Sequence, residues 1–403
     1  MKLGLEVLLA DRALLSSLQH RRVALVAHPA SVTHSLQHSI DALREAGVNV
    51  VSAFGPQHGM RGDKQDNMVE SEDYVDPRWG IPVFSLYGRV RRPTPEMLST
   101  FDVVLFDLQD VGCRIYTFLT TLFYVMEDCA RAGKSVWVLD RPNPAGREVE
   151  GTLLRKGWES FVGGACVPMR HGLTLGEIGQ WYLREKRLDL DFRVVAMEGY
   201  RPSEGPGYGW PWGERSWVNP SPNAASLNMV RCYPGTVMLE GTTLSEARGT
   251  TIPLEAMGAP GLDVPAWIAE MARLEPRWLE GCRLRPCSFL PMFQKHFGQL
   301  CEGFQIHADT LDYRPERFRP YRLQALAFKA LRRLHPEYSL WREFEYEYER
   351  DRLAIDLING SSLLREWVDD PAAFPGDFEA LCAPEEAAWR EASLPFLLYP
   401  SAR

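Results

Sequence analysis

Arg22 to Phe54, RVALVAHPASVTHSLQHSIDALREAGVNVVSAF, decides the fold. Its first seven residues are a short apolar run of the kind seen in parallel strands buried on both faces. Leu36, Ile40 and Leu43 then share one helical face, and Gly47 supplies a stop. Val48 to Phe54 is a second apolar run. Strand, helix and strand in that order make a β-α-β unit, whose crossover is right-handed. The alternation continues with strands expected at Pro82–Leu86, Asp102–Leu108 and Ser135–Asp140. Leu119, Leu122, Phe123, Met126 and Ala130 stripe a helix that stops at Gly133. Thr174 and Glu177 form a capping box opening a helix to about Arg187, before a strand at Arg193–Met197. This is the pattern of an α/β chain with a doubly wound, mainly parallel sheet and helices on both faces.

Beyond residue 200 the pattern changes. Tyr200 to Asn223 is irregular and rich in Pro, Gly and Trp, and Thr236–Gly241 reads as one more strand. Composition shifts at Pro260–Pro265, which divides the chain into parts at 1–262 and 263–403. The second part, with a strand at Gly303–Ala308, a helix at Tyr321–His335 and an acidic aromatic stretch near Trp341–Tyr348, reads as a smaller α+β domain.

The 403 residues are 45% apolar and 24% charged, with a net charge of −8, which is ordinary globular composition. No basic run exists, which argues against nucleic acid or an anionic membrane as partner. The start, MKLGLEVLLADRALLSS, is broken by Glu6, Asp11 and Arg12 and is not a secretory apolar core. No run of apolar residues is long enough to span a bilayer. The eight cysteines contain no C-x-x-C pair and read as reduced core thiols, which points to a cytoplasmic location. A homodimer is compatible with all of this.

Chemistry concentrates where strands end. The loop Phe54–Glu72, FGPQHGMRGDKQDNMVESE, carries Gln57, His58, Arg61, Asp66 and Glu70. Other strand ends carry His28; Asp107, Gln109, Asp110 and Arg114; and Asp140, Arg141 and Asn143. Parallel strands bring their carboxyl ends to one edge, so these residues are expected around one crevice. Asp107 and Asp140 suit helix caps or turns equally well. Three later loops add His171 in MRHGLT, Asn219 and Asn223 in WVNPSPN, and Tyr233, Glu240, Ser245, Glu246 and Arg248 in YPGTVMLEGTTLSEARGT. Amides and aromatic faces in stiff loops suit a polyhydroxylated ligand, while Trp210, Trp212 and Trp217 serve a core equally well. No G-x-G-x-x-G, P-loop or G-x-S-x-G occurs, so the sheet need not bind a nucleotide; a hard divalent cation on the carboxylates stays open, with no spacing in its favour.

The series GPQHGMRG, PVFSLYG, DVVLFDLQDVGCRIYTF, VLDRPNPAG, HGLTLGE, NPSPN and EGTTLSEARGT, in order from about residue 3 to residue 340, resembles the DUF1343 family. Its characterised members are exo-β-N-acetylmuramidases of the NamZ type, glycoside hydrolase family 171. The resemblance implies a Rossmann-like catalytic domain, a C-terminal auxiliary domain and a cleft between them. It also implies cofactor-free removal of terminal N-acetylmuramic acid from peptidoglycan fragments, a small saccharide substrate. Those muramidases carry Pro-Glu-His-Gly, with the glutamate a proposed catalytic residue, where this chain has Pro56-Gln57-His58-Gly59. A second proposed residue, a tyrosine, matches Tyr233. An amide cannot act as a general acid or base. Three accounts stay open: Glu70, Asp66 or Glu240 has taken over the acid role; the substrate's acetamido group is the nucleophile and Gln57 holds it; or the protein binds sugars without cleaving them. Arg114, Arg141, Arg170 or Arg248 offers a guanidinium fork for a lactyl carboxylate.

Overall fold

The computed structural model describes residues 1–400 except 65 and 67, so Gln65 and Asn67 of the polar loop lie outside the described residues. Seven strands form the main sheet: β1 (Val23–Val26), β2 (Val50–Gly55), β3 (Tyr74–Val75), β4 (Pro82–Ser85), β5 (Val103–Phe106), β6 (Ser135–Leu139) and, after a small β-ribbon, β9 (Phe192–Val195). Their order is β3-β4-β2-β1-β5-β6-β9, and every neighbouring pair is parallel except β3 with β4. Without the short edge strand β3, this is the doubly wound 3-2-1-4-5-6 order of Rossmann-type sheets.

Side-chain alternation along the central strands explains why they read as unbroken apolar runs. Ala24, Val26, Val104, Phe106, Val136 and Val138 face one core, shared with the helices Phe118–Ala132 and Leu175–Glu185. Val23, Leu25, Val103, Leu105, Trp137 and Leu139 face the other, under Leu5, Leu8, Leu14 and Leu18 of the N-terminal helices and Ile40 and Leu43 of Ser39–Glu45. A strand covered on both faces has no polar side to show. The helix ends follow their residues. Gly133 ends Phe118–Ala132 with φ 62°, and Thr174 with Glu177 closes the capping box of Leu175–Glu185.

The ribbon pairs β7 (Glu150–Leu153) with β8 (Pro168–Arg170). A second sheet, antiparallel, has the order β10-β12-β11 from β10 (Ala256–Ala259), β11 (Arg283–Phe289) and β12 (Cys301–His307). The expected break at residue 262 falls inside this sheet, between β10 and β11. Thr236–Gly241 is not a strand. It is the end of the helix Leu227–Thr236 continued by a 3₁₀ turn, Val237–Gly241. Short buried apolar runs carry no periodicity that separates helix from strand. The helix Pro320–Leu334 packs into the same core as the first sheet's helices, so the two parts share one interior. The last helix, Pro375–Ser393, returns to the ribbon: Glu386 accepts the Gly151 N–H at 2.8 Å, and the Trp389 indole donates to the His171 carbonyl at 2.9 Å. Among the described residues, no helix is long and apolar enough to cross a membrane.

Candidate active site

The polar residues at the strand ends do not form one crevice. Asp107 and Arg141, after β5 and β6, are buried and make a two-pronged ion pair at 2.6 and 2.9 Å. The Gln109 amide donates to the Asp110 and Pro142 carbonyls, and Asp110 accepts the Gly112 N–H at 2.7 Å. Asn143 closes its own turn onto Ala145 and donates to the Leu173 carbonyl. His171 is buried, 3.6 Å from Asp110. Arg114 is also buried and donates to the carbonyls of Thr152, Val167, Ile358 and Asn359, which ties the first part of the chain to the second. Arg170 is held on the Ala145 carbonyl. Asp140 accepts from the Tyr399 hydroxyl at 2.6 Å, the Thr174 hydroxyl at 2.7 Å and the Gly176 N–H at 2.9 Å, and burial pushes its carboxyl up to about 6. These eight expected binding residues (Asp107, Gln109, Asp110, Arg114, Asp140, Arg141, Asn143 and His171) are buried and mostly tied to the fold, though Gln109 and Arg141 also line a separate hollow beside Trp210 and Arg215. Buried polar groups seek partners, and most of theirs are backbone, one another and the Thr174 and Tyr399 hydroxyls.

A different set converges. A small hollow is walled by Gln57, His58, Tyr116, Thr117, Ser221 and Asn223 from before residue 230 and by Tyr233, Glu240, Arg248, Tyr346 and Glu347 from after it. Gln57 follows β2, and Tyr116 and Thr117 follow β5; only β1 separates those strands. The Thr117 hydroxyl donates to Gln57 Oε1 at 2.8 Å, which leaves the amide NH₂ as a donor edge. His58 has φ 70° and sets Nδ1 2.8 Å from the Lys64 carbonyl. Burial, with the Arg248 charge adding to it, pulls its imidazole down to about 4, so the ring is neutral; Nδ1 carries the proton and Nε2 is an acceptor.

Glu240, on the 3₁₀ turn, accepts from Arg248 Nη2 at 2.5 Å and from the Tyr346 hydroxyl at 2.8 Å. Arg248 also reaches Glu246 at 3.1 Å, and Lys295 pairs with Glu246 at 2.7 Å. Two carboxylates and two cations therefore balance, and Arg248 is not an uncommitted anchor for a substrate carboxylate. Tyr233 stands edge-on to Tyr116, with ring centroids 5.9 Å apart. Burial, reinforced by Glu240, pushes its phenol well above the ordinary range, so it stays protonated.

Four expected site residues lie outside the hollow. Glu70 is half-exposed and accepts from the Tyr348 hydroxyl at 2.9 Å. With Arg61, whose guanidinium stacks on Tyr74 at 4.2 Å, it lines a neighbouring groove. Asp66 bonds the Gln294 amide, and Asn219 is exposed. Trp210 packs on Trp217 at 5.0 Å in the interior while Trp212 is exposed. The Trp217 indole, bonded to the Ala224 carbonyl at 2.9 Å, pins the NPSPN loop that supplies Ser221 and Asn223.

Sequence reading missed Tyr116, Thr117, Ser221, Tyr346 and Glu347 as individual site residues. The first three sit inside motifs already singled out. The last two sit in FEYEYE, Phe344–Glu349, whose strict alternation of aromatic and acid was the available signal.

Comparison with known proteins gives the family. The chain matches the family described as exo-β-N-acetylmuramidase NamZ, N-terminal, over residues 23–228, and its C-terminal counterpart over 231–399. The two matches meet within the helix that carries Tyr233, so the hollow is walled by both. The peptidoglycan β-N-acetylmuramidase NamZ of Bacillus subtilis is 38% identical over 336 residues, 83% of this chain and 78% of that protein. A crystal structure of a DUF1343 family protein from Bacteroides fragilis superposes with a TM-score of 0.86 at 29% identity, covering 99% of both chains. A second DUF1343 protein of that organism shares the fold, with a TM-score of 0.75 at 24% identity over 100% of this chain and 99% of that one. The chain belongs to the NamZ family of exo-β-N-acetylmuramidases, glycosidases directed at peptidoglycan.

Proposed function

We propose that this protein is an exo-acting glycosidase that releases terminal N-acetylmuramic acid, or a closely related amino sugar, from peptidoglycan-derived saccharides. The observation that carries this reading is the hollow itself, in which Gln57, Tyr233, Glu240 and Arg248 meet from both family segments. Tyr116, Tyr233 and Tyr346 offer aromatic surface to sugar C–H faces. The Gln57 and Asn223 amides and the Glu240 carboxylate offer hydroxyl partners.

Gln57 stands where the resemblance places a catalytic glutamate. Its amide holds a ligand but moves no proton, so cleavage draws its acid from another side chain. The same substitution favours a second reading, a sugar-binding protein without turnover.

The test is release of free N-acetylmuramic acid from a chromogenic muramic acid glycoside and from a disaccharide with a terminal N-acetylmuramic acid, beside the Bacillus subtilis relative. Turnover of either supports the glycosidase. An inert wild type with an active control contradicts it. If, in addition, Gln57→Glu gains hydrolysis, the binding protein is the better account.

A further inference from the structure

Three features single out one side chain that the sequence reading passed over. Glu347 lines the same hollow as Gln57, it is buried, and it sits in a backbone conformation that side chains avoid. Tyr346 and Glu349 exchange backbone hydrogen bonds at 3.0 and 3.3 Å, which closes a two-residue turn with Glu347 and Tyr348 at its tip. Their φ values are 48° and 69°. Positive φ at both central positions defines a type I′ turn, normally filled by Asn-Gly. Each residue here costs about 1–2 kcal/mol in that region. Such strain persists where the surroundings enforce it, and it clusters at functional positions.

The surroundings enforce it here. Both Glu347 carboxyl oxygens meet the Tyr87 hydroxyl, at 3.0 and 3.1 Å. The Arg91 guanidinium lies over the Tyr87 ring at 3.9 Å and over the Tyr348 ring at 5.0 Å, and Tyr348 donates to Glu70. The turn is thus clamped by Tyr87 and Arg91, with Glu347 on the wall of the hollow and Tyr348 turned to Arg91 and Glu70.

We propose that Glu347 is the general acid of this active site, the residue that protonates the departing glycosidic oxygen; the assignment rests on the glycosidase reading above. The proton passes from the Glu347 carboxyl to that oxygen as the C1–O bond breaks. The bond's electron pair stays on the oxygen, and the remaining saccharide leaves as an alcohol. A water oxygen completes C1, and a proton from that water restores the carboxyl, directly or through solvent.

The electrostatics agree. Burial is the main cause that pushes the Glu347 carboxyl up, to about 7; the Tyr87 hydrogen bond and the Arg91 charge oppose it, and the Glu240 carboxylate adds to the rise. Among the other described groups that wall the hollow, His58 is neutral, Glu240 is held by Arg248 and Tyr346, and the phenols of Tyr116, Tyr233 and Tyr346 are pushed up by burial. A carboxyl that is part protonated near pH 7 is suited to donate there.

The experiment compares two substrates in the full-length protein: a disaccharide ending in N-acetylmuramic acid, and an aryl muramic acid glycoside whose phenolate leaves without protonation. Glu347→Gln is expected to lower kcat/KM on the disaccharide by about 10³-fold and on the aryl glycoside by less than about 10-fold. A general acid works only while protonated, so wild-type activity on the disaccharide should fall as pH rises through about 7, and the variant should lose that limb. Tyr87→Phe keeps the acid but removes a hydrogen bond that stabilises its anion, so the limb should move to higher pH; this reading serves if Glu347→Gln does not fold. Equal losses on both substrates, a limb that survives in Glu347→Gln, or a limb unmoved in Tyr87→Phe would overturn the assignment. A wild type inert on both substrates would instead remove the glycosidase reading, and the assignment with it.

Discussion

Two groups of buried polar side chains sit above the same sheet, and they differ in what their partners are. Around Asp107, Asp140 and Arg141 the hydrogen bonds run to backbone, to one another and to the returning C-terminal tail. Around Gln57 and Glu347 the side chains come from both family segments and border an open volume. Both groups are polar and buried; the second borders a hollow walled by both family segments, while in the first only Gln109 and Arg141 reach a separate hollow, beside Trp210 and Arg215. Convergence at the carboxyl end of a parallel sheet therefore locates polar chemistry without separating the groups that hold the sheet from the groups that meet a ligand. In this chain the crossover point between β1 and β5 is plugged: His28 after β1 meets the Gln109 N–H after β5 at 2.9 Å and stacks on Phe118 at 4.9 Å. The hollow lies instead where residues 57–58, 116–117 and 221–223 meet residues 233–248 and 346–347.

Substitutions can break or sharpen this contrast. The largest effect is expected from Asp107→Ala, which leaves Arg141 charged and unpaired in the interior. A loss of about 3–5 kcal/mol in urea unfolding is expected, with turnover per folded molecule unchanged. Loss of turnover in a stable variant would move Asp107 into the active site.

Tyr399→Phe removes the 2.6 Å hydrogen bond onto Asp140 and should cost about 1.5–3 kcal/mol above pH 6. Asp140 titrates near 6 in the folded protein, against about 3.9 in an unfolded chain. The folded state thus keeps a proton that the unfolded state has released. Stability from this group is full below about 4 and falls as pH rises through about 6, by roughly 3 kcal/mol. The Tyr399 bond favours the ionised form, so Tyr399→Phe should be milder at pH 4 than at pH 8. Equal destabilisation at both would contradict the pairing.

On the other side of the contrast, the Tyr116 hydroxyl is buried near Ser221 without a hydrogen bond of normal geometry. Tyr116→Phe should leave thermal stability unchanged or slightly higher, and should weaken substrate binding by about 10-fold, measured as KM. A drop in stability with unchanged KM would class Tyr116 with the structural set. The smallest effect belongs to Asn219→Ala, an exposed position, where changes within about 0.5 kcal/mol are expected in melting and none in KM.

Much of the first sheet was legible because its signals are local. The apolar runs of β1, β2, β5 and β6, the Gly133 stop and the Thr174–Glu177 capping box each act within a few residues. The 3₁₀ turn Val237–Gly241 was not legible, because helix and strand share its buried apolar pattern. The candidate site was legible in part. Gln57, His58, Asn223, Tyr233, Glu240 and Arg248 sit in loops whose polarity stands out against apolar neighbours. The division of Asp107 and Asp140 from that set depends on Arg141 and Tyr399 arriving from elsewhere in the chain, and spacing does not encode those encounters. Glu347 was hidden for the same reason. Its carboxyl becomes distinctive only when the turn at its own residue sets it against Tyr87, some 260 residues away.

The most direct measurement is a crystal structure of the protein with N-acetylmuramic acid bound. The sugar is expected between Gln57, Tyr233 and Glu240, with its anomeric oxygen within hydrogen-bond reach of the Glu347 carboxyl. Sugar density in the groove of Arg61, Glu70 and Tyr74, or above the Asp107–Arg141 pair, with the hollow unchanged, would contradict the account.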